Sequence, residues 1–332
     1  IMPFRRLYLI LSLALSGAAM PALADGTVSP AFERRATEAV IWGMPAVNYD
    51  IMRQEMLDTT AGRPNQVLYW GKPLDWKNQT LTPNPDTIYL MTFFDAKDGP
   101  IVFEVPPADT GALNGNIVTV WQMPLEDVGR SGVDEGAGGK FAFVPPGWNG
   151  DLPAGITPLQ SDTPEGYALF RSNLKSHSAE DVAAAIAYAK RIKVYPLSEA
   201  AAPPETVFTD AQDVFFDATI RYDDTFFEHL NRIVQTQPWL DRDRVMIDQL
   251  KSIGIEKGKP FRPNAGQRIA LNAAAVDARA ELAAAYDKGW ELFYEGAGWR
   301  AAAPAEVVKS SQAGFTVPDA YPTDPKKQDG LA

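Results

Sequence analysis

The pattern of hydrophobic and polar positions changes along the chain, and its central part is typical of β-structure. Between about residues 64 and 195, short β-branched and aromatic runs alternate with clusters of Pro, Gly, Asn and Asp. Many short strands separated by turn signals favour an antiparallel sandwich or jelly roll over a parallel α/β sheet. The runs are TIYLMTFF, IVFEV, NIVTVW, KFAFV and YALFR.

Helical periodicity precedes this region and also occurs inside it. Apolar residues from Phe32 to Met56 recur near one face of a helix, and Pro45 is expected to kink or break that helix. Within the β-rich region, Ser178 is expected to cap a helix, with Asp181 in the capping-box position.

After residue 200 the pattern is mostly helical. Thr209 and Thr225 are each followed three residues later by Gln or Glu, which predicts two capped helices. Another helix is expected to close at Gly254. The long alanine-rich segment that begins near Arg268 has strong helix propensity.

These elements predict an α+β protein with an antiparallel β-sandwich or jelly-roll domain, an N-terminal helix and a mostly helical segment after the sandwich. The expected boundaries are 25–60 for the N-terminal helical segment, 61–200 for the sandwich, 201–300 for the helical segment and 301–332 for a tail.

The first 24 residues have the three parts of a secretory signal peptide. Arg5 and Arg6 precede an apolar run, and small residues at Ala22 and Ala24 provide a cleavage site. Cleavage near Ala24 would place the mature protein in the periplasm or outside the cell. No later apolar stretch reaches the length of a membrane span, so no transmembrane segment is expected.

Charge and composition narrow the partner classes. The 332 residues carry a formal net charge of -11, so the protein should repel nucleic acid and anionic membrane surfaces. The absence of cysteine excludes disulfides, thiol catalysis and thiolate metal sites.

The common catalytic and cofactor motifs are absent. Neither His177 nor His229 has a second histidine or a cysteine three or four residues away, so no histidine-based metal site is predicted. The segment GVDEGAGGKF at residues 132–141 lacks the spacing of a phosphate loop and is interpreted as a hairpin loop. No dinucleotide fingerprint is present, and no cofactor is predicted.

An acidic cluster, formed by Asp217, Asp223, Asp224 and Glu228, could provide paired carboxylates for acid–base chemistry. Acidic residues at helix starts are also favoured by the helix dipole, and this explanation is preferred.

The segment LTPNPDTIYLMTFFDAK, residues 81–97, raises the most specific question about a site. Asn84 and Asp86 can satisfy backbone groups where a strand begins, or they can present a reactive carboxylate. Asp86 is therefore the candidate catalytic acid or base. The candidate binding residues around it or elsewhere in the β-region are Asn84, Tyr89, Trp121, Trp148 and Arg171. The aromatic members could form a platform for a ligand, but core packing is the preferred explanation.

Several segments resemble, in order, a bacterial family known as domain of unknown function 1254. They are TPNPDTIYLMTFFDAKDGPIVFEVPP, VTVWQMPLEDVG, GAGGKFAFVPPGWNGDLPAG and ALFRSNLKSHSAEDVAAAIAYAKRIKVYPLS. The resemblance covers about half of the chain. It implies an exported jelly-roll protein that usually continues into a second jelly roll, the domain of unknown function 1214. The chain ends soon after GFTVPDAYPTD, so the second domain is expected to be missing or truncated.

Two functions therefore remain open. The preferred one is a periplasmic protein that binds a small molecule or glycan or assembles with other copies of itself. The alternative is an exported hydrolase or lyase that uses carboxylate acid–base chemistry around Asp86, with Arg171 available to bind an anionic substrate.

Overall fold

The structure is a computed structural model, and it describes residues 28–80, 84–130, 132–289 and 295–296. The signal peptide predicted for residues 1–24 and the tail predicted for residues 301–332 lie outside the described residues. Within the described part of the chain, no helix has both the length and the apolar character that a membrane crossing requires.

The helices flank a β-rich centre. Two short 3-10 helices, Leu197–Glu199 and Asp241–Asp243, accompany the α-helices. The α-helices of the described residues are α1 (Pro30–Thr59), α2 (Ala179–Ala189), α3 (Thr225–Thr236), α4 (Arg244–Ser252) and α5 (Ala265–Gly289).

Twelve strands occur in the described residues, and most are short. They are β1 (Val67–Tyr69), β2 (Asn78–Gln79), β3 (Thr87–Asp95), β4 (Ile101–Val105), β5 (Leu113–Thr119), β6 (Pro124–Gly129), β7 (Gly139–Val144), β8 (Ile156–Gln160), β9 (Glu165–Asn173), β10 (Lys193–Pro196), β11 (Phe208–Asp210) and β12 (Phe216–Asp217).

The strands form two main sheets and one small one. The six-stranded sheet has the order β11-β1-β3-β9-β5-β6, and the four-stranded sheet has the order β10-β4-β7-β8. Most neighbours are antiparallel, but β1 pairs with β11 and β7 pairs with β8 in parallel. The small sheet pairs β2 with β12, also in parallel.

The two main sheets pack face to face through phenylalanines. Phe94 of the six-stranded sheet and Phe143 of the four-stranded sheet have ring centroids 4.5 Å apart. Every residue of β3 from Thr87 to Phe94 is buried, as the apolar run predicted. The strand is enclosed on both faces because α1 covers the side of its sheet that faces away from the sandwich.

Helix α1 connects the sheet to the helical segment. Its residues Ala46, Tyr49, Met52 and Met56 face the six-stranded sheet. Earlier residues of the same helix, from Phe32 to Val47, pack with α3, α4 and α5 in a second core. The helix continues through Pro45, so the predicted break does not occur.

Gly43, which lies two residues before Pro45 in α1, has a packing role. A Cβ atom at this position would lie 2.9 Å from Cδ1 of Leu230 in α3. The glycine therefore permits a close approach of two helices, and it does not end the helix.

Three local predictions were wrong. Thr209 lies in strand β11 and not at a helix start, because this segment pairs with β1 at the edge of the sheet. Helix α3 has Asp224 as its N-cap residue, and Thr225 is its first residue, bonded to Asp223. The segment before β7 is not a hairpin loop, because β6 and β7 belong to different sheets.

Other local predictions are confirmed. Ser178 caps α2, where its Oγ accepts a hydrogen bond of 3.1 Å from the Asp181 amide. Helix α4 ends before Gly254, which has a φ of +91°. The α+β class with an N-terminal helix and mainly antiparallel sheets is confirmed, whereas the strand order does not establish a jelly roll.

Candidate functional site

The residues Asn84, Asp86 and Tyr89 lie together where β3 begins. The Asn84 side-chain oxygen accepts a hydrogen bond of 2.9 Å from the Asp86 amide. The Asn84 amide in turn donates to the Tyr89 hydroxyl at 3.2 Å. These bonds order the turn in the way expected for an Asn that precedes a strand.

The carboxylate of Asp86 is exposed, and it contacts a histidine. Its Oδ1 lies 2.8 Å from Nε2 of His177, and the two side chains are 70% and 62% exposed. Arg171 lies opposite Tyr89 on β9, with its guanidinium carbon 5.4 Å from the ring centroid. The fold therefore gathers four predicted residues and His177 at one end of β3 and β9.

Asp86 and His177 lie on the surface, whereas Tyr89 is buried. None of the side chains of this cluster lines the cavities of about 360, 560 and 780 Å³ that other described residues form. A catalytic or binding role for Asp86, Asn84, Tyr89 and Arg171 stays a prediction.

Trp121 lies apart from Asp86, at the junction of the sheet with α1. Its ring centroid is 4.5 Å from that of Trp42. The next residue, Gln122, donates to the Pro45 carbonyl at 2.8 Å and to the Asn48 side chain at 2.9 Å. These contacts connect the sheet to the helix, which agrees with the interpretation that Trp121 serves core packing.

Trp148 lies on another side of the molecule. It packs against the outer face of the four-stranded sheet and lines the cavity of about 560 Å³. The predicted binding residues therefore occupy three separate places and do not form one pocket.

A cluster of ionisable and hydrogen-bonding side chains surrounds a buried aspartate in α1. Asp50 is 3% exposed. Its Oδ2 lies 2.7 Å from Nδ1 of His229 and accepts a hydrogen bond of 2.8 Å from Nε of Arg232, both from α3. Gln54 donates to its other oxygen at 3.3 Å. A buried carboxylate with this many donors fixes the orientation of the histidine.

His229 lines a cavity of about 360 Å³ between α1, α3 and the segment after β12. Because Nδ1 faces Asp50, Nε2 is the ring nitrogen left for a ligand. The cavity also has an apolar wall that includes Phe226 and Ile51. Its volume lies within the range of about 300–1,000 Å³ that is common for small-molecule sites.

Carboxylates dominate the charge of this cavity. Four acidic residues and one arginine, Arg221, line it together with His229. Arg221 lies 3.8 Å from Asp217, and the described residues provide no ionic partner for Asp58. The acidic lining residues are Glu55, Asp58, Asp217 and Glu228. Glu228 pairs with Arg268 at 3.4 Å, so Glu55 and Asp58 provide the excess of negative charge that favours a cationic ligand.

His229, Asp217 and Glu228 stand out in the sequence, but no pattern in the sequence joins them to Asp50. The available signal is the position of Asp50 on the apolar side of α1, between Val47 and Ile51. A carboxylate in such a place must find donors on a neighbouring element. Its partners lie about 180 residues further along the chain, and spacing alone could not identify them.

No group of three or more acidic or histidine side chains in the described ranges is arranged to hold a metal ion. The residues of the His229 cavity are suited to an organic ligand, since they combine carboxylates, an imidazole and an apolar wall.

Comparison with known proteins identifies a family for the β-rich part of the chain. Residues 64–196 match the family described as "Protein of unknown function (DUF1254)". No curated protein matches the sequence. The crystal structure of the VPA0106 protein from Vibrio parahaemolyticus is similar, with a TM-score of 0.54 and 19% identity. The match covers 77% of this chain and 60% of that one, and at this identity it concerns the fold alone.

Proposed function

Because residues 64–196 form a domain of the DUF1254 family, whose function is unknown, we propose a function from the neighbouring cavity. The protein is an exported binding protein for a small organic cation, an amine, which occupies the cavity beside His229. Export is supported by the signal-peptide pattern of residues 1–24.

The observation that carries the proposal is the fixed histidine in an acidic cavity. Asp50 is buried, and it holds His229 at 2.7 Å where the imidazole lines the cavity. An imidazole fixed in this way can accept a hydrogen bond from an ammonium group through Nε2. The carboxylates of Asp58 and Glu55 supply the opposite charge.

The size and shape of the cavity limit the ligand. A volume of about 360 Å³ suits a diamine or a short polyamine and is too small for a polymer. Phe226 and Ile51 can contact a short methylene chain, while the acidic residues bind the amino groups. The ligand class is therefore an alkyl amine with one or more positive charges.

Isothermal titration of the mature protein with three four-carbon compounds tests this proposal. Putrescine is expected to bind. The diol 1,4-butanediol has no charge and succinate is negatively charged, so neither is expected to bind. Binding should weaken as salt rises from about 50 to about 500 mM because the cavity opens to solvent.

Variants locate the binding. Glu55→Gln and Asp58→Asn should each lower the affinity for putrescine by about tenfold. Asp151→Asn is the matched control, because Asp151 is exposed and does not line the cavity. Equal binding of the diol, or full affinity in both cavity variants, would contradict the proposal.

Acid–base chemistry is the second candidate function, and the Asp50–His229 pair is the observation that favours it. An imidazole oriented by a buried carboxylate is a common general base. The Asp86–His177 pair offers the same groups on an exposed surface without an enclosing cavity. Following the putrescine titration by NMR for several hours separates the two functions, since only an enzyme converts the ligand.

A further inference from the structure

A second cavity lies where the sandwich meets the helical segment, and the site beside His229 does not include it. Its volume is about 560 Å³. Four prolines and Trp148 give it an apolar wall, and two lysines and Asp98 lie at its edge. The prolines are Pro145, Pro146, Pro164 and Pro238, and the lysines are Lys97 and Lys257.

Trp148 is held in place by the turn that presents it. Its amide donates to the Pro145 carbonyl at 3.4 Å, and Gly147 has a φ of +78°. The indole lies over Gly150, where a Cβ atom would be 2.5 Å from Cζ2 of the ring. One side of the ring packs against the outer face of the four-stranded sheet. The turn therefore fixes an aromatic surface at the cavity.

Of the two lysines at this cavity, Lys257 is the one without a carboxylate partner among the described residues. Its ammonium donates to the Gln237 carbonyl, and no acidic side chain of the described residues forms an ion pair with it. Its neighbour Glu256 pairs with Lys259 at 2.7 Å. Burial lowers the pKa of Lys257, which is the expected result of partial desolvation without a counter-ion.

Lys97 differs from Lys257, because its charge is already balanced. It lies 2.8 Å from Glu165 and 3.1 Å from Asp95. Glu165 is nearly buried, and it also accepts a hydrogen bond of 2.9 Å from Gln237. Asp98 contributes one negative charge to the edge. A ligand that enters between Trp148 and Lys257 would thus meet one uncompensated ammonium group.

We propose that this cavity is a second binding site, for a small ring compound that carries a carboxylate. The flat face of the ring stacks on Trp148 and the prolines, and the carboxylate pairs with Lys257. Sugar acids and aromatic acids share this chemistry, because both have an apolar ring face and a negative charge. The proposal explains the Val144–Trp148 motif, which the cation site does not use.

Saturation-transfer NMR and isothermal titration with the full chain test the proposal. The probes are glucuronate, benzoate and neutral glucose. At least one of the two acids is expected to bind, and glucose should bind at least about tenfold more weakly than that acid. Binding of one acid but not the other supports the site and identifies the class of its ligand.

Variants assign the binding to the two residues. Trp148→Ala and Lys257→Gln should each weaken binding by about tenfold, whereas Trp148→Phe should retain most of it. Trp76→Ala and Lys72→Gln are the matched controls, since both side chains are exposed and lie outside this cavity.

Two results would overturn the proposal. One is that neither acid binds, or that glucose binds as tightly as the acid that does bind. The other is that Lys257→Gln, and also Trp148→Ala if it folds, bind the acid as the original protein does. If Trp148→Ala does not fold, Lys257→Gln still decides the result. Because this cavity shares no residue with the cavity beside His229, failure of one proposal leaves the other standing.

Discussion

Replacement of Asp50 by Asn removes the charge that joins α1 to α3. Two charge-assisted hydrogen bonds depend on it, at 2.7 Å to His229 and 2.8 Å to Arg232. Breaking a fully buried pair costs about 3–5 kcal/mol. Arg232 is 46% exposed and can turn to water, which reduces the loss. We therefore expect Asp50→Asn to lower the free energy of unfolding by about 2–3 kcal/mol.

Urea denaturation followed by circular dichroism measures this change. Asp58→Asn is the matched control on the same helix, and it should change the free energy of unfolding by less than about 0.5 kcal/mol because Asp58 is exposed. Arg232→Gln should cost less in the Asp50→Asn background than alone, since the two residues share one bond. If Asp50→Asn stays within about 0.5 kcal/mol of the original protein, the buried network does not stabilise the fold and this reasoning is wrong.

Two further predictions concern the sandwich. Burial would raise the pKa of Glu104, but hydrogen bonds from Lys140 and Tyr195 outweigh it and lower that pKa from 4.5 to about 2. Ionised Glu104 therefore makes its full contribution to the free energy of unfolding above about pH 4.5, and this contribution is lost as the pH falls toward 2. Because Lys140 is 49% exposed, the contribution amounts to about 1–2 kcal/mol. The urea midpoint of Glu104→Gln should be lower than that of the original protein at pH 7, and the difference should shrink between pH 5 and 3. A difference that stays constant with pH would contradict a lowered pKa of Glu104. Gly129→Ala should lower the free energy of unfolding by about 3 kcal/mol or more, since Gly129 has a φ of +100° and a Cβ atom would lie 1.9 Å from the Leu113 carbonyl oxygen. A thermal unfolding midpoint within about 1 °C of that of the original protein would show that the substitution causes no strain.

The sequence was sufficient where local chemistry determines structure. The alternation of apolar runs and turn residues identified β3, β4, β7 and β9, and a side-chain oxygen before an apolar run identified the cap of α2. These signals depend on neighbours within a few residues. The parallel edge strand β11 could not be predicted in this way, because its three residues become a strand only through pairing with β1.

The same limit applies to the sites. The turn at Asn84 was correctly described, since its bonds reach only five residues along the chain. The Asp50–His229 pair joins residues 179 positions apart, so neither residue shows a partner in the sequence. Pro45 does not break α1, for a related reason. A helix that packs on a sheet and on three other helices tolerates one missing hydrogen bond, because its burial outweighs that loss.

Helix α1 sets the order in which the protein can fold. It is synthesised before the helices that cover it, and Phe32 shares its core with Ala278, about 250 residues later. At about 5–20 residues per second, the ribosome needs about 10–50 s to make the intervening chain. Until α3 has been made, the first half of α1 has no partner helix to cover it, and its core stays incomplete until α5 follows. The helical core therefore closes only after α5 has been synthesised, so the two ends of this core are separated in time as well as in sequence.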